Sequence, residues 1–521
     1  MDADPLNRAL NYFFSLPYLY PYQRLVIANL LEAAPASGIP IHWPGLGPTE
    51  APDAGEDRAD TGRQLVILPT GAGKSLCFQL PAMVLGGITL LICPLLSLMA
   101  DQERRLREKG FVPALLRGGQ SREERETIWH NLRSGKSKII IANPETLLRP
   151  ATLSILGTLG IAHLVIDEAH CVSEWGETFR PAYQELGKIR EALAPPGAPE
   201  LLITAFTATA SPPVLEKIER YIFGPGSAPR RITGNPDRNN IRYAAQGAIL
   251  RDLAVRDLLR THRLPALVFC ASRWGTEQLA RYLRYEAEAA GRASAAAEIR
   301  FYHAGLSREE KKALEDWFFT ASNGVLVATC AYGMGVDKPN IRTVIHRDCP
   351  PSVEAYLQES GRAGRDALPA RGILLWGPDD AAAGRKTPAE RQRFLLDYAR
   401  NIRVCRRREL LRLLQYEGDG AVGAVEPGRC CDVCAGEARD ACREEAPVLD
   451  FIRRNRRSYC LNQAAALIAG DPAIGCGEGE GRVLLQTLIT MGKITASRNI
   501  FWKDALYTKV PAGALRKAAV P

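Results

Sequence analysis

Two successive series of short, almost wholly apolar runs constrain this 521-residue chain more than any other feature. The first series occupies residues 65–68, 89–92, 139–141, 164–166 and 201–204; the second begins after Arg231 and occupies 266–269, 299–302, 325–328, 343–345 and 372–375. Each run is followed by polar or glycine-rich residues, with helical segments between. Strict apolar/polar alternation would mean a sheet with one wet face. Unbroken apolar runs at this spacing mean parallel strands covered on both faces. The expected fold class is therefore α/β, with two consecutive parallel-sheet domains at residues 1–230 and 231–380 and a boundary in the region 225–240. Length agrees, because single cores stop growing at about 250–300 residues and 46% of this chain is apolar.

The chemistry gathers where two of the runs end. Pro69-Thr70-Gly71-Ala72-Gly73-Lys74-Ser75 follows the first run directly and precedes a helical stretch. In such a loop, backbone N–H groups at a helix N-terminus cradle phosphates, with Thr70, Gly71 and Gly73 in the cradle. Lys74 reaches the β- and γ-phosphates of a nucleotide, and the Ser75 hydroxyl reaches Mg2+. The usual pattern begins with glycine where this chain has Leu68, so the match is to its second half. Further on, the run ending at Ile166 is capped by Asp167 and Glu168. Asp167 suits Mg2+ and Glu168 suits polarising an attacking water, because phosphoryl transfer needs charge neutralisation and in-line positioning more than covalent chemistry. An acidic pair in isolation is equally a helix N-cap; the phosphate loop gives it the catalytic reading.

Several further motifs stand in a consistent order. Asp167-Glu168-Ala169-His170 is followed by Thr207-Ala208-Thr209-Ala210, and late in the second series by Gln358-Glu359-Ser360-Gly361-Arg362-Ala363-Gly364-Arg365-Asp366. Gln23 stands near the start, in Tyr20-Pro21-Tyr22-Gln23. Pro94 to Gln102, Tyr302-His303-Ala304-Gly305-Leu306 and Ala328 to Lys338 fall between them. This order resembles superfamily-two helicases, and the segment from Asp167-Glu168-Ala169-His170 through Cys171-Val172-Ser173-Glu174-Trp175-Gly176-Glu177-Thr178-Phe179-Arg180-Pro181 is similar to the aromatic-rich loop of the RecQ family. The resemblance covers residues 12 to about 440. It implies two tandem RecA-like domains, ATP and Mg2+ as cofactors, Gln23 reading adenine, Gln358 near the nucleotide, and Arg362 and Arg365 as arginine fingers acting when the domains close. It also implies DNA unwinding with three-prime to five-prime movement, in repair or recombination. Trp175, Phe179 and Arg180 would meet unpaired bases and backbone, since stacking is sequence-tolerant; aromatics also fill cores.

Beyond residue 380 the composition changes. Arg400, Arg403, Arg406, Arg407, Arg408 and Arg412 share one helical stretch with Cys405, and Cys430-Cys431-Asp432-Val433-Cys434 follows. Four thiolates suit a closed Zn2+ site, and a similar four-cysteine module follows the motor in RecQ proteins. Gly428 stands where one common pattern has cysteine, so two ligand sets stay open: Cys405, Cys430, Cys431 and Cys434, or a set in which Cys442 replaces one of the adjacent pair. The arginine density suits phosphate contacts, with Arg406 and Arg407 as candidates. The zinc module is placed at residues 381–444. In 445–521, helical segments at 448–452, 464–469 and 483–491 precede candidate strands at 493–496 and 505–508, the pattern of a small winged helix. Phe501 and Trp502 at its turn would either wedge a base pair or pack inward.

The net charge of +9 favours polyanions only mildly. Thirteen cysteines in a chain without an export signal at its start indicate reduced thiols and a metal site rather than disulfides. Neither a membrane span nor a secretory leader is expected, which gives a cytoplasmic setting; the resemblance implies single-stranded and forked or partly duplex DNA as partners, and a monomer is expected. With so short a tail, the further helical nucleic-acid-binding domain that some members of the family add is not expected. Residues 35–60, rich in proline, glycine and acids, read as a surface insertion or a flexible loop. Motor motifs touch mainly backbone, so an RNA helicase and a nucleotide-switched clamp remain as alternatives.

Overall fold

The computed structural model describes residues 4–44, 62–69, 72–174, 181–194, 200–208, 210–234, 237–333, 338–382, 390–413, 430–497 and 503–508. The chain forms two compact units, Met1–Asp237 with Leu411–Ala421 and Arg238–Leu410 with Val422–Pro521.

The first unit is built on a parallel sheet of β1 (Arg63–Ile67), β2 (Ile88–Ile92), β3 (Ala114–Leu116), β4 (Ile139–Ala142), β5 (Ile161–Ile166), β6 (Leu202–Thr207) and β7 (Arg230–Thr233). Their spatial order is β3-β4-β2-β5-β6-β1-β7. The pleat sends alternate residues to opposite faces, and both faces are covered. Val66 and Leu68 join one core with Phe78, Leu91, Val165 and Phe206, while Leu65 and Ile67 join another with Leu90, Leu164 and Ala205. This is why the strands read as continuous apolar runs. Strand β7 does not: only Ile232 of its residues is buried, and the sequence boundary at 230/231 cuts through it. Its pairing with β1 places it in the first sheet.

Near the start of the chain stand two helices, Pro5–Phe14 and Pro21–Ala33, separated because Ser15 adopts a left-handed conformation and a proline opens each helix. Residues 35–60 are not surface throughout. Ile39 and Ile41 are buried in the first core, and Ile41 forms a bridge to Leu85; residues 45–61 lie outside the described residues.

The second unit carries β8 (Ile241–Gly247), β9 (Ala266–Phe269), β10 (Ile299–Tyr302), β11 (Val325–Ala328), β12 (Thr343–His346) and β13 (Ala370–Trp376), all parallel, in the order β10-β11-β9-β12-β13-β8. Strand β8 alternates buried and half-buried residues as an edge strand does, so no apolar run announces it. Parallel bridges from Tyr243 to Cys431 and from Gly247 to Cys442 continue pairing beyond β8. The helices Glu445–Arg454, Leu461–Ala469 and Glu478–Thr490 then pack with the antiparallel pair β14 (Ile494–Ala496) and β15 (Leu506–Thr508). Their core of Val448, Ile468, Leu484 and Leu506 includes Leu253 from the helix Arg251–Thr261. No helix among the described residues is long and apolar enough to cross a membrane.

Candidate functional site

In the first unit, the sheet order places the carboxyl ends of β5, β6 and β1 side by side. The phosphate-type loop leaves β1, Asp167 and Glu168 leave β5, and Thr207 closes β6. Ligands of open parallel sheets bind outside such ends. The loop is gripped from the helix Pro21–Ala33: Tyr22 Oη donates to the Ala72 carbonyl at 2.9 Å, and Gln23 Nε2 donates to the Gly73 carbonyl at 3.2 Å. The other end of the Gln23 amide accepts from Tyr20 N at 2.9 Å. Gly73 has φ +71°, and a Cβ there would meet Gln23 Nε2 at 2.6 Å, so only glycine allows this approach. Ser75 Oγ accepts from Gln102 Nε2 at 3.2 Å, and Gln102 Oε1 accepts from buried Gln79 at 3.2 Å. This relay orients the Ser75 hydroxyl, and sequence reasoning assigned neither glutamine a role. Thr70 and Gly71 lie outside the described residues.

Glu168 occupies the left-handed region at φ +49°. That conformation is uncommon for a residue with a Cβ and recurs at functional turns. Its carboxylate lies 3.4 Å from His170 Nδ1, which is 3.1 Å from Thr207 Oγ1. The turn after β5 is thereby joined to the end of β6, a link reinforced by Ala169 N donating to the Phe206 carbonyl at 2.7 Å. Burial, then the Glu168 charge beside it, push the Asp167 carboxyl up to about 6, opposed by Lys74. A buried Asp167 carboxylate beside the half-buried Glu168, with Lys74 opposing their charge, fits a divalent cation, whose charge would relieve this repulsion.

In the second unit, Arg362 is buried and Gln358 is half-buried. The turn that carries Arg362 and Arg365 is held from below by residues whose importance the sequence did not signal. Arg238 Nη2 donates to the Gly364 carbonyl at 2.9 Å, and Asn240 Nδ2 donates to the same oxygen at 2.7 Å. His346 and Glu359, paired at 2.9 Å in the core, fix the preceding helix to β12. Trp175, Phe179, Arg180 and Thr209 lie outside the described residues, as do Phe501 and Trp502.

The geometry groups one of the two cysteine sets. The sulfurs of Cys405, Cys430, Cys431 and Cys434 all lie within 4.8 Å of one another, whereas Cys442 sits at the bridge to Gly247. Sulfur separations of 3.6 Å for Cys405–Cys430 and 3.9 Å for Cys405–Cys431 bracket the edge of about 3.8 Å that zinc–sulfur bonds of ~2.3 Å imply for a tetrahedron. The donor set therefore fits zinc. Cys405 is not inside a helix: it lies in the break between Glu390–Arg400 and Arg406–Leu413.

The reading of Arg406 and Arg407 as phosphate contacts is corrected. Both are fully buried, at 0% and 1% exposure. Arg406 forks onto Asp432 through Nε at 2.9 Å and Nη2 at 3.1 Å, and Arg407 Nη2 donates to the Ile241 carbonyl at 2.7 Å. Arg406 thereby binds Asp432 within the cysteine module, Arg407 ties that module to β8, and neither guanidinium is open to a ligand. Arg403 and Arg408 are exposed.

Residues 51–218 match the DEAD/DEAH box helicase family, and residues 249–367 match the helicase conserved C-terminal domain. An ATP-dependent DNA helicase RecQ of Bacillus subtilis is 32% identical over 419 residues, spanning 78% of this chain and 67% of that protein. The chain belongs to the RecQ family. The RecQ helicase of Pasteurella multocida is 33% identical over 421 residues, and the alignment covers 78% of this chain but 63% of that relative. The chain thus spans slightly under two thirds of that RecQ relative. Its fold is also that of the DUF1998 helicase MrfA bound to DNA, with a TM-score of 0.55 at 16% identity over 97% of this chain and 59% of the other.

Proposed function

We propose that the chain is an ATP-dependent DNA helicase that moves three-prime to five-prime on single-stranded DNA and displaces the complementary strand, in repair or recombination. The observation that carries this reading is the union of phosphate loop, Asp167, Glu168 and Thr207 at the carboxyl ends of β1, β5 and β6 in a RecQ-family chain. Lys74 and the loop N–H groups hold the β- and γ-phosphates, while Ser75 and Asp167 hold Mg2+. When bound, that ion neutralises phosphate charge. Glu168 takes a proton from the attacking water, and its link to Thr207 through His170 transmits the state of the nucleotide to β6. Arg362 and Arg365 supply charge stabilisation in the transition state. Gln23, Thr70, Gly71 and Gln358 are proposed as nucleotide contacts, and Trp175, Phe179 and Arg180 as contacts to unpaired bases. The C-terminal helices and hairpin serve as a winged helix with Phe501 and Trp502 at its tip. Forked or partly duplex DNA, a cytoplasmic setting and a monomeric state complete the proposal.

The test is ATP turnover by the purified full chain with no nucleic acid, with single-stranded DNA and with single-stranded RNA, using Lys74→Ala as control. DNA-selective stimulation of about tenfold or more, lost in the control, is expected. RNA-selective stimulation or none would overturn the proposal.

For the cysteine module we expect about one zinc per chain by elemental analysis. Cys431→Ser should bind less than about a tenth of that and lower the melting midpoint by about 10 °C or more, because binding energy at such a site is folding energy. A full-length chain folded in zinc-containing medium yet free of zinc would rule this out.

A further inference from the structure

The second unit has a basic cleft of about 660 Å3 at the amino ends of β8, β12 and β13. Arg242, Arg263, Arg342, Arg371 and His262 line it. Arg242 is paired with Glu437 at 2.7 Å, and Arg342 with Asp366. Among the described residues no carboxylate pairs with Arg263 or Arg371, although Arg263 is exposed and Arg371 half-buried. The positive charge is therefore undercompensated, and the groups register it. Burial, then the Arg371 charge, push the His262 imidazole below its usual value, and burial, then Arg242, push the Arg371 guanidinium down.

Grouping guanidiniums in a concave, partly desolvated site with too few acids costs stability unless an anion visits. Planar forks at this density match phosphate oxygens, which accept paired N–H donors. None of these residues belongs to the proposed nucleotide site. We propose that this cleft is a second phosphate-binding site, which takes either a phosphodiester of a nucleic-acid strand or a free polyphosphate. It is wired to the arginine-finger turn: Asp366, which holds Arg342, ends that motif, and Asn240 at the cleft wall also donates to the Gly364 carbonyl. A phosphate drawing Arg342 away would release Asp366 and loosen the turn that carries Arg362 and Arg365.

The inference does not rest on ATP hydrolysis, so it is tested in the full chain carrying Lys74→Ala, which silences the phosphate loop. Pyrophosphate binding is measured by calorimetry, and binding of a fluorescent single-stranded oligonucleotide by anisotropy across a salt series. Arg263→Gln/Arg371→Gln is compared with its parent, and Arg263→Gln alone is included because an exposed position carries little folding burden. Loss of about tenfold or more in pyrophosphate affinity with unchanged oligonucleotide binding assigns a free polyphosphate. Weakened oligonucleotide binding, with the log–log salt slope reduced by about 0.7 for each phosphate no longer neutralised, assigns a strand. No change in either ligand for both variants, or no pyrophosphate binding by the parent with oligonucleotide binding unaltered, overturns the proposal.

Discussion

Glu168→Gln is expected to lower DNA-stimulated ATP turnover by about a hundred- to ten-thousand-fold, the range of a lost general base, while nucleotide affinity changes by no more than about threefold. Glutamine is nearly the same size and shape, so the left-handed turn at φ +49° and the donation of the backbone N–H to Asp167 Oδ1 at 3.0 Å survive the change. What is lost is an acceptor for the proton of the attacking water. In the proposed mechanism affinity is held by Lys74 and the loop N–H groups, which the substitution leaves in place. Steady-state turnover and equilibrium titration of a fluorescent nucleotide separate the two quantities. A fall below about tenfold would leave Glu168 as a positioning residue only; an equal loss of affinity would mean that the turn itself had collapsed.

Legibility of the fold followed burial. Strands covered on both faces, such as Ile139–Ala142 and Val325–Ala328, stand out because every residue must be apolar. Strands β7 and β8 lie at sheet edges, where half the residues meet solvent or another segment, and composition says little about them. The same distinction governs the site. The chemistry proposed for Lys74, Ser75, Asp167 and Glu168 fixes their spacing along the chain, so pattern alone proposes them. Gln79, Gln102, Arg238 and Asn240 act by reaching a backbone carbonyl or a side-chain amide or hydroxyl that the fold brings near, as when Asn240 meets Gly364. A single sequence holds no mark of such partners. Arginine density misled for a related reason: the count of guanidiniums on a helical stretch does not say which way each one points, and the break at 401–405 redirects Arg406 and Arg407 inward.

That reorientation sets the second large effect. Arg406→Ala is expected to destabilise the unit that contains it by about 3–5 kcal/mol, the cost of stranding the partner of a buried ion pair. Asp432 is 4% exposed; its Oδ1 also accepts from Val433 N at 2.8 Å and its Oδ2 from Ala245 N at 3.0 Å. The guanidinium additionally donates to the Tyr398 and Ala399 carbonyls, which would lose their donor in the same stroke. Because Asp432 lies between Cys431 and Cys434, its release should also lower metal retention. Exposed Arg408 provides the contrast: Arg408→Ala should shift stability by no more than about 0.5 kcal/mol, and if it meets DNA backbone, flatten the salt dependence of binding by about one unit of slope. Urea unfolding, metal content and salt-dependent binding of both variants distinguish the roles. Were Arg406→Ala as stable as its parent but with a flatter salt slope, the phosphate-contact reading would be restored and the buried ion pair with Asp432 set aside. Destabilisation with an unaltered slope in the folded fraction would keep Arg406 as the buried partner of Asp432 that holds the cysteine module together.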